Sequence, residues 1–349
     1  AYDFNGQKRH YADIRLVYWC GGNPFHHHQD LNRLDRAWKQ PETIIVNESW
    51  WTATAKRADI VFPATTPYER EDISLAQGDS FLFHMSALIS PVAEARDDYA
   101  IFTGLAARMG VEEAFTEGRD TDAWLRHLYD QFRQETSAQG IEAPDFDQLR
   151  AQNYVELPIA GAEFAEVPFA AFRADPDKAP LGTPSGRIEI FSETIDGFGY
   201  DDCPGHPSWQ TPDEWLGSNL SQEFPLHLVS PQPGDKLHSQ FECAIADVPG
   251  ARPAPVTINT NDAELRGIGD GDLVRVFNAR GACQARARVS TEIRQGVVSL
   301  STGAWHDPDA DGTDTQGNPN VLTRDLGTSR LGQGCSAHTT LVEIERLPS

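Results

Sequence analysis

The stretch IRLVYWCGGNPFHHHQDLNRL, Ile14 to Leu34, decides the reading of the fold. All of its first seven residues but Arg15 are apolar, β-branched or aromatic, and the run stops at Gly21-Gly22, as a buried parallel strand does. A helix is predicted next, with Leu31, Leu34 and Trp38 on one face, Asn32, Arg33, Asp35 and Arg36 on the other, and Pro41 beyond its end. Thr43 to Val46 reads as a second buried strand, Thr52 to Arg57 as a short helix, and Asp59 to Phe62 as a third strand closed by Pro63. This alternation is the doubly wound pattern, whose ligands sit at the carboxyl ends of the strands.

The informative positions are therefore the turns that follow each strand: Gly21 to Gln29, Asn47 to Thr52, and Ala64 to Asp72. Gly21 and Gly22 allow backbone N–H groups to approach a ligand, and the helix behind them presents its positive end, a geometry suited to a diphosphate. Glu48 stands where an acidic side chain accepts hydrogen bonds from a ribose or base. Three adjacent histidines, His26 to His28, do not converge on one metal from a helix or a strand. They remain either structurally satisfied or solvent-facing side chains, or the polar wall of a nucleotide pocket.

The totals narrow the partners. The 349 residues carry 29 Lys and Arg against 52 Asp and Glu, a formal charge of -23. That balance argues against a nucleic-acid or anionic-membrane surface, so an anionic ligand must be held locally. No run reaches the length of a membrane span. The five cysteines, Cys20, Cys203, Cys243, Cys283 and Cys335, are scattered without a C-x-x-C pair, which favours free thiols and a reducing compartment. The chain opens on Ala1 and leads quickly into a strand, which is the expectation for a segment of a longer protein.

Further along, Ile101, Leu105 and Met109 predict one core-facing helix opened by Asp97-Asp98, and Trp124, Leu128 and Phe132 another capped by Asp120 or Thr121. Residues 140–225 read as an irregular connection with a short strand at Arg187 to Phe191, anchored by Phe164, Phe169, Phe172, Phe191 and Trp209. After Pro225 the pattern becomes all β. Leu226 to Ser230, Gly271 to Asn278 and the run from Cys283 to Ser290, where Cys283, Ala285, Ala287 and Val289 share one face, predict a small closed barrel. Two of its loops, SPQPGDKLHSQ (Ser230 to Gln240) and GNPNVLTRDLGTSRLGQGCSAH (Gly317 to His338), hold more hydrogen-bonding groups than a barrel needs. The stretch AWHDPDADGTD, 304–314, reads as an acidic surface loop rather than a calcium site.

Taken in order, VYWCGGNPFHHHQDLNRL, WKQPETIIVNESWWTATAKRADIVFPATTPYERED, SPQPGDKLHSQ, DGDLVRVFNARG and GNPNVLTRDLGTSRLGQG closely resemble the carboxyl-terminal part of the dimethyl sulfoxide reductase family of molybdenum S-oxide and N-oxide reductases. The wording is most similar to the biotin sulfoxide and trimethylamine N-oxide reductase branch. The resemblance implies a doubly wound α/β domain over 1–140, an irregular connection over 141–222, and a double-psi type β-barrel over 223–349. It implies bis(molybdopterin guanine dinucleotide) and molybdenum as cofactors, with the metal's serine ligand in an amino-terminal half that has no counterpart here. No catalytic residue and no metal ligand is nominated within the chain.

By the same resemblance, Gly22 and Asn23 lie along one diphosphate, with His27, Glu48, Thr52, Arg70 and Asp97 or Asp98 near that dinucleotide. Ser230, Gln232 and Asn320 grip the second, while His238, Ser239 and Gln240 face a pterin. His338 stands where relatives read Gly-Asn-x-Gly-Gln, so its pterin contact departs from the family pattern, and Glu48 replaces the aspartate of many relatives. The implied activity is oxygen-atom transfer from a sulfoxide or amine N-oxide followed by two-electron reduction, with the amino-terminal half, the small-molecule substrate and an external electron donor as partners. Either a cytoplasmic or a periplasmic location is compatible with it. The rival readings are a non-catalytic dinucleotide-binding module or inactive fragment, and a nucleotide-dependent dehydrogenase, which the missing G-x-G-x-x-G disfavours.

Overall fold

The computed structural model describes residues 1–4, 7–76, 79–157, 167–246 and 250–348. Strand β1 (Leu16–Cys20) ends in a left-handed turn at Gly21 and Gly22, φ +82° and +75°. A single helical turn, α1 (Pro24–His27), and then α2 (Leu31–Trp38) follow. Strands β2 (Thr43–Glu48) and β3 (Ile60–Pro63) complete a parallel sheet of order β1-β2-β3. The central strand buries Ile44 and Val46, but β1 lies at the edge and leaves Leu16 exposed, so its apolar run is not that of a doubly covered strand. The helix predicted over 52–57 contracts to a 3-10 turn, Ala55–Arg57.

Next come β4 (Asp72–Leu75), β5 (Phe81–Met85), α3 (Asp98–Met109), α4 (Thr121–Ala138), α5 (Phe146–Gln152) and β6 (Tyr154–Glu156). The three strands form an antiparallel sheet, β4-β5-β6. Each helix starts on an aspartate whose carboxylate takes an otherwise unpaired N–H: Asp97 from Ala100, Asp120 from Ala123 and Asp145 from Gln148. The predicted apolar faces are partly corrected. Met109 and Leu128 are exposed, and α4 turns Leu125 and Tyr129 inward onto Leu82, Phe146 and Leu149. Tyr129 competes for the core through its large ring, with its hydroxyl satisfied by Pro144 O at 2.9 Å.

The connection departs further from expectation. No strand forms at Arg187 to Phe191, where Ile188 and Ile190 are exposed, and Phe169 and Trp209 are exposed as well. Phe172 is only half-buried, and Phe164 lies outside the described residues. Tyr200 and Phe224 are the buried anchors instead.

The barrel is closed in the order β8-β10-β9-β12-β7-β11, from β7 (Leu226–Val229), β8 (Pro255–Asn259), β9 (Leu273–Asn278), β10 (Gly281–Ser290), β11 (Val297–Leu300) and β12 (Thr340–Arg346). Two of its pairings, β8 with β10 and β11 with β7, are parallel. Cys283, Ala285 and Ala287 point inward as predicted, and their small size suits a narrow interior filled by Leu228, Ile258, Val276 and Leu300. Val289 is only partly buried. Gly281 is required by close approach, because a Cβ there would lie 2.5 Å from Asn32 Nδ2.

The chain divides into two compact units that are not consecutive blocks of sequence. Ala1–Val46 and Trp50–Ile60 group with Glu189–Ser349, and Asn47–Ser49 with Val61–Ile188. The linear layout at 1–140, 141–222 and 223–349 thus differs from the division by contact. The physical reason is Phe25: it and Leu31 are fully buried in the same core as the barrel strands.

Candidate functional site

In the first unit the turn after β1 is held by carboxamides from the last barrel loop. Asn318 Nδ2 donates to Phe25 O at 3.2 Å and to Ala304 O at 2.9 Å, and Asn320 Nδ2 donates to His26 O at 2.7 Å. Asn320 Oδ1 accepts from Thr323 Oγ1, so this predicted cofactor residue spends its amide on holding the turn. Asp314 organises the loop. Its buried carboxylate accepts from the N–H groups of Asp307, Gln316, Gly317 and Asn318. Burial still outweighs those bonds and raises its pKa to about 6.

Around this clamp, buried polar atoms stand without partners among the described residues. Asn23 stands at the N-cap position of α1 without a side-chain capping bond; its Oδ1 accepts from Thr54 Oγ1 at 2.6 Å, and its Nδ2 is unpaired. His26 Nδ1, Ser230 Oγ and Thr302 Oγ1 are unpaired too. They form one run: the His26 ring centroid lies 6.1 Å from that of His238, Gly303 abuts His238 O, and Thr302 N donates to Pro231 O at 3.0 Å. A buried polar atom without a partner costs about 1–3 kcal/mol, so this run is where hydrogen-bonding capacity is left over. Burial first, then His27, His238 and Lys236, lowers the His26 pKa to about 4, which makes it a neutral hydrogen-bonding group at pH 7.

The other predicted residues of this unit lie at its surface or carry backbone bonds. Gly22 has open space over its Cα, with His27 Cε1 at 3.8 Å from where a Cβ would stand. His27 is exposed, its pKa lowered by desolvation and by His28 and His238. Thr52 is buried and its Oγ1 accepts from Ala55 N. Gln232, His238, Gln240 and His338 are exposed; His238 is held at φ +49°, Ser239 O accepts from Trp305 Nε1, and the His338 backbone bonds the His227 ring.

The second unit brings Glu48, Arg70, Asp97 and Asp98 together by itself. Asn47 Nδ2 donates to Asp98 Oδ1 at 2.9 Å, Ala64 N to Glu48 O, Thr65 N to Arg96 O, and Arg70 Nη1 to Thr65 O at 3.1 Å. The buried Thr65 Oγ1 has no partner. Acceptors at Glu48 and Asp98 with a guanidinium at Arg70 suit a base or ribose bearing N–H or O–H donors next to an anion.

Sequence reasoning missed Thr65, Thr302, Asn318 and Asp314. Asn318 had a readable signal, since Asn-Pro opens a helical turn, here Pro319–Val321. The 304–314 stretch is not wholly a surface loop: His306 and Asp314 are buried at its ends. Among the described residues no group of three or more His, Cys, Asp or Glu could hold a metal.

Residues 4–108 match the molybdopterin oxidoreductase family model, and residues 226–341 match the molydopterin dinucleotide binding domain. The chain thus carries a region similar to the molybdopterin oxidoreductases and a second similar to the molydopterin dinucleotide binding domain. Its two matched regions indicate a molybdenum cofactor built on molybdopterin dinucleotide. The chain is 50% identical over 348 residues to a biotin sulfoxide reductase of Cereibacter sphaeroides, covering 99% of this chain and 46% of that protein. It is 43% identical over 356 residues to a dimethyl sulfoxide/trimethylamine N-oxide reductase of Rhodobacter capsulatus, covering 99% and 43%. A trimethylamine-N-oxide reductase of Haemophilus influenzae is 45% identical over 359 residues, covering 98% and 43%. The chain thus spans less than half the length of these relatives. Acetylene hydratase from Pelobacter acetylenicus shares the fold, with a TM-score of 0.70 at 19% identity, over 95% of this chain and 44% of that one.

Proposed function

We propose that the chain is the cofactor-holding carboxyl-terminal portion of a molybdenum S-oxide or N-oxide reductase. The observation that carries this reading is the run of buried, partnerless polar atoms on Asn23, His26, Ser230 and Thr302, lying in the two regions matched by cofactor-binding models. When bound, the cofactor supplies two-electron oxygen-atom transfer from a sulfoxide or amine N-oxide.

The protein's share is binding and orientation. Gly22 leaves open space for a ligand beside the backbone, and the Asn23 amide and Ser230 and Thr302 hydroxyls have unmet hydrogen-bonding capacity for a second polar partner. Glu48, Asp97, Asp98 and Arg70 are the residues for guanosine: carboxylates accept from guanine and ribose donors, and the guanidinium balances phosphate. Asp97 already caps α3, so its remaining lone pairs are the ones on offer. His26, neutral at pH 7, hydrogen-bonds without adding a charge, and Phe25 seals the turn against the barrel core. The amino-terminal half, the substrate and an external electron donor complete the reaction.

The test is acid denaturation of the purified full-length protein with molybdenum and guanine nucleotide counted per chain. About one metal and about two nucleotides are expected, together with consumption of a sulfoxide or amine N-oxide by reduced viologen. Nucleotide bound without turnover of either substrate class favours the non-catalytic module instead.

A further inference from the structure

The loop from Ser230 to Gln240, in the first unit, carries its burial inverted. Leu237 and the adjoining Phe241 are each 66% exposed, whereas the Lys236 side chain is 4% exposed. Transfer from water alone favours the reverse, because apolar side chains gain by burial and an ammonium loses its hydration. What turns Lys236 inward is Glu242, the first residue of the helical turn Glu242–Ala246, whose side chain is 1% exposed and accepts from Lys236 Nζ. Arg252 donates to the same carboxylate through Nε and Nη2, so both of its oxygens are met by a cation.

The backbone around Lys236 is shaped to match. His238 and Phe241 are held in the left-handed region, at φ +49° and +62°, which residues other than glycine rarely adopt. Gly303 lets the loop approach: a Cβ there would stand 2.5 Å from His238 O and 2.6 Å from Lys236 Cε. Gln240 N donates to Leu237 O at 2.8 Å and Trp305 Nε1 to Ser239 O at 3.2 Å, which ties down the segment between the two strained residues. This placement sets the His238 ring 6.1 Å from that of His26, whose buried Nδ1 is unpaired.

We propose that Glu242 is a positioning residue: acting through Lys236, it fixes His238, Ser239 and Gln240 in the orientation in which they meet the cofactor. This rests on the cofactor-holding reading given above. Without the ion pair, burial favours a rotated loop with Leu237 or Phe241 turned inward, and that rotation carries His238 away from His26.

The test uses the full-length protein loaded with its cofactor. Glu242→Gln strands two cations, so Lys236 is altered instead: Lys236→Met keeps a side chain of similar length and leaves Glu242 paired with Arg252, and Lys236→Arg restores the cation. In Lys236→Met, amide exchange over 236–241 is expected to quicken about tenfold while that over β10 is unchanged. Guanine nucleotide is expected to leave about fivefold faster and the visible absorption of the bound cofactor to shift, both returning toward the parent in Lys236→Arg. A lysine that only stabilises the fold lowers the unfolding midpoint without moving that absorption. Loop exchange equal to that of the parent overturns the proposal, and so does a loosened loop with unchanged nucleotide release and absorption. A parent protein that holds neither molybdenum nor guanine nucleotide overturns the cofactor-holding reading itself, and the proposal with it.

Discussion

The ion-pair network on α4, α5 and β5 in the second unit and the polar cluster around α1 in the first satisfy their groups in opposite ways. In the second unit, His84 Nε2 and Arg150 Nε meet at Glu71 Oε1, at 2.5 and 2.8 Å, and Arg150 continues to Asp122, Arg126 and Asp147. Every charge in that network has an opposite neighbour, and its work ends with joining α4, α5 and β5. In the first unit, Asn23, His26, Ser230, Thr302 and His306 are buried with an atom left over. The comparison teaches where to look for ligands: a closed polar network has no hydrogen-bonding capacity left, and an open one does.

The largest expected break comes from Asp314→Ala. It strips the acceptor from four buried N–H groups and releases the loop bearing Asn318 and Asn320, at a cost of about 3 kcal/mol or more, read from denaturant unfolding. The released turn at 24–27 is expected to lose amide-exchange protection more than α4 does. Equal losses in both places would mean that the clamp is not local to the site.

Acidification gives an intermediate effect. The pKa of His26 and of His306 falls from the ordinary 6.5 to about 4 on folding, His306 through burial and then Arg57. The stability they contribute is complete above about 6.5 and is lost as pH drops through about 4. Asp314 acts in reverse, because its raised pKa of about 6 contributes below the ordinary 3.8 and loses that contribution as pH rises through 6. Two histidines against one aspartate leave a net fall in stability from pH 6.5 to 4, measured as Tm against pH. His26→Gln with His306→Gln is expected to flatten or invert that slope, and an unchanged slope would contradict the burial of both rings.

The smallest effect is expected from Arg126→Gln in the closed network. Arg126 is solvent-screened and Asp122 and Glu71 retain Arg150, so the unfolding midpoint stays close to that of the parent. A shift as large as that of Asp314→Ala would erase the distinction between the two units.

Much of this architecture is written locally. The stop of β1 at Gly21-Gly22, the aspartate caps at Asp97 and Asp120, and the alternation of Cys283, Ala285 and Ala287 follow from backbone conformation, unpaired N–H groups and strand pleating, each within a few residues. The connection was illegible for the converse reason. Ile188 and Ile190 carry strand propensity, but no partner strand pairs with them, and propensity without pairing does not make a sheet. Leu128 and Tyr129 show the same limit within a helix: both fit an apolar stripe, and the packing against Phe146 chose Tyr129.

The sequence by itself determined the element types outside the connection, the left-handed turn at Gly21-Gly22 and, through its motifs, the resemblance to a family. Only the tertiary structure decided that Phe25 plugs the barrel core, that Asn320 Nδ2 is used to hold His26 O, and that His306 keeps its proton on Nε2 facing no partner. Those facts join residues far apart in the chain, 249 positions for Arg57 and His306 and 294 for His26 and Asn320. Local rules cannot reach them, because whether a polar atom is satisfied depends on what the folded chain brings beside it.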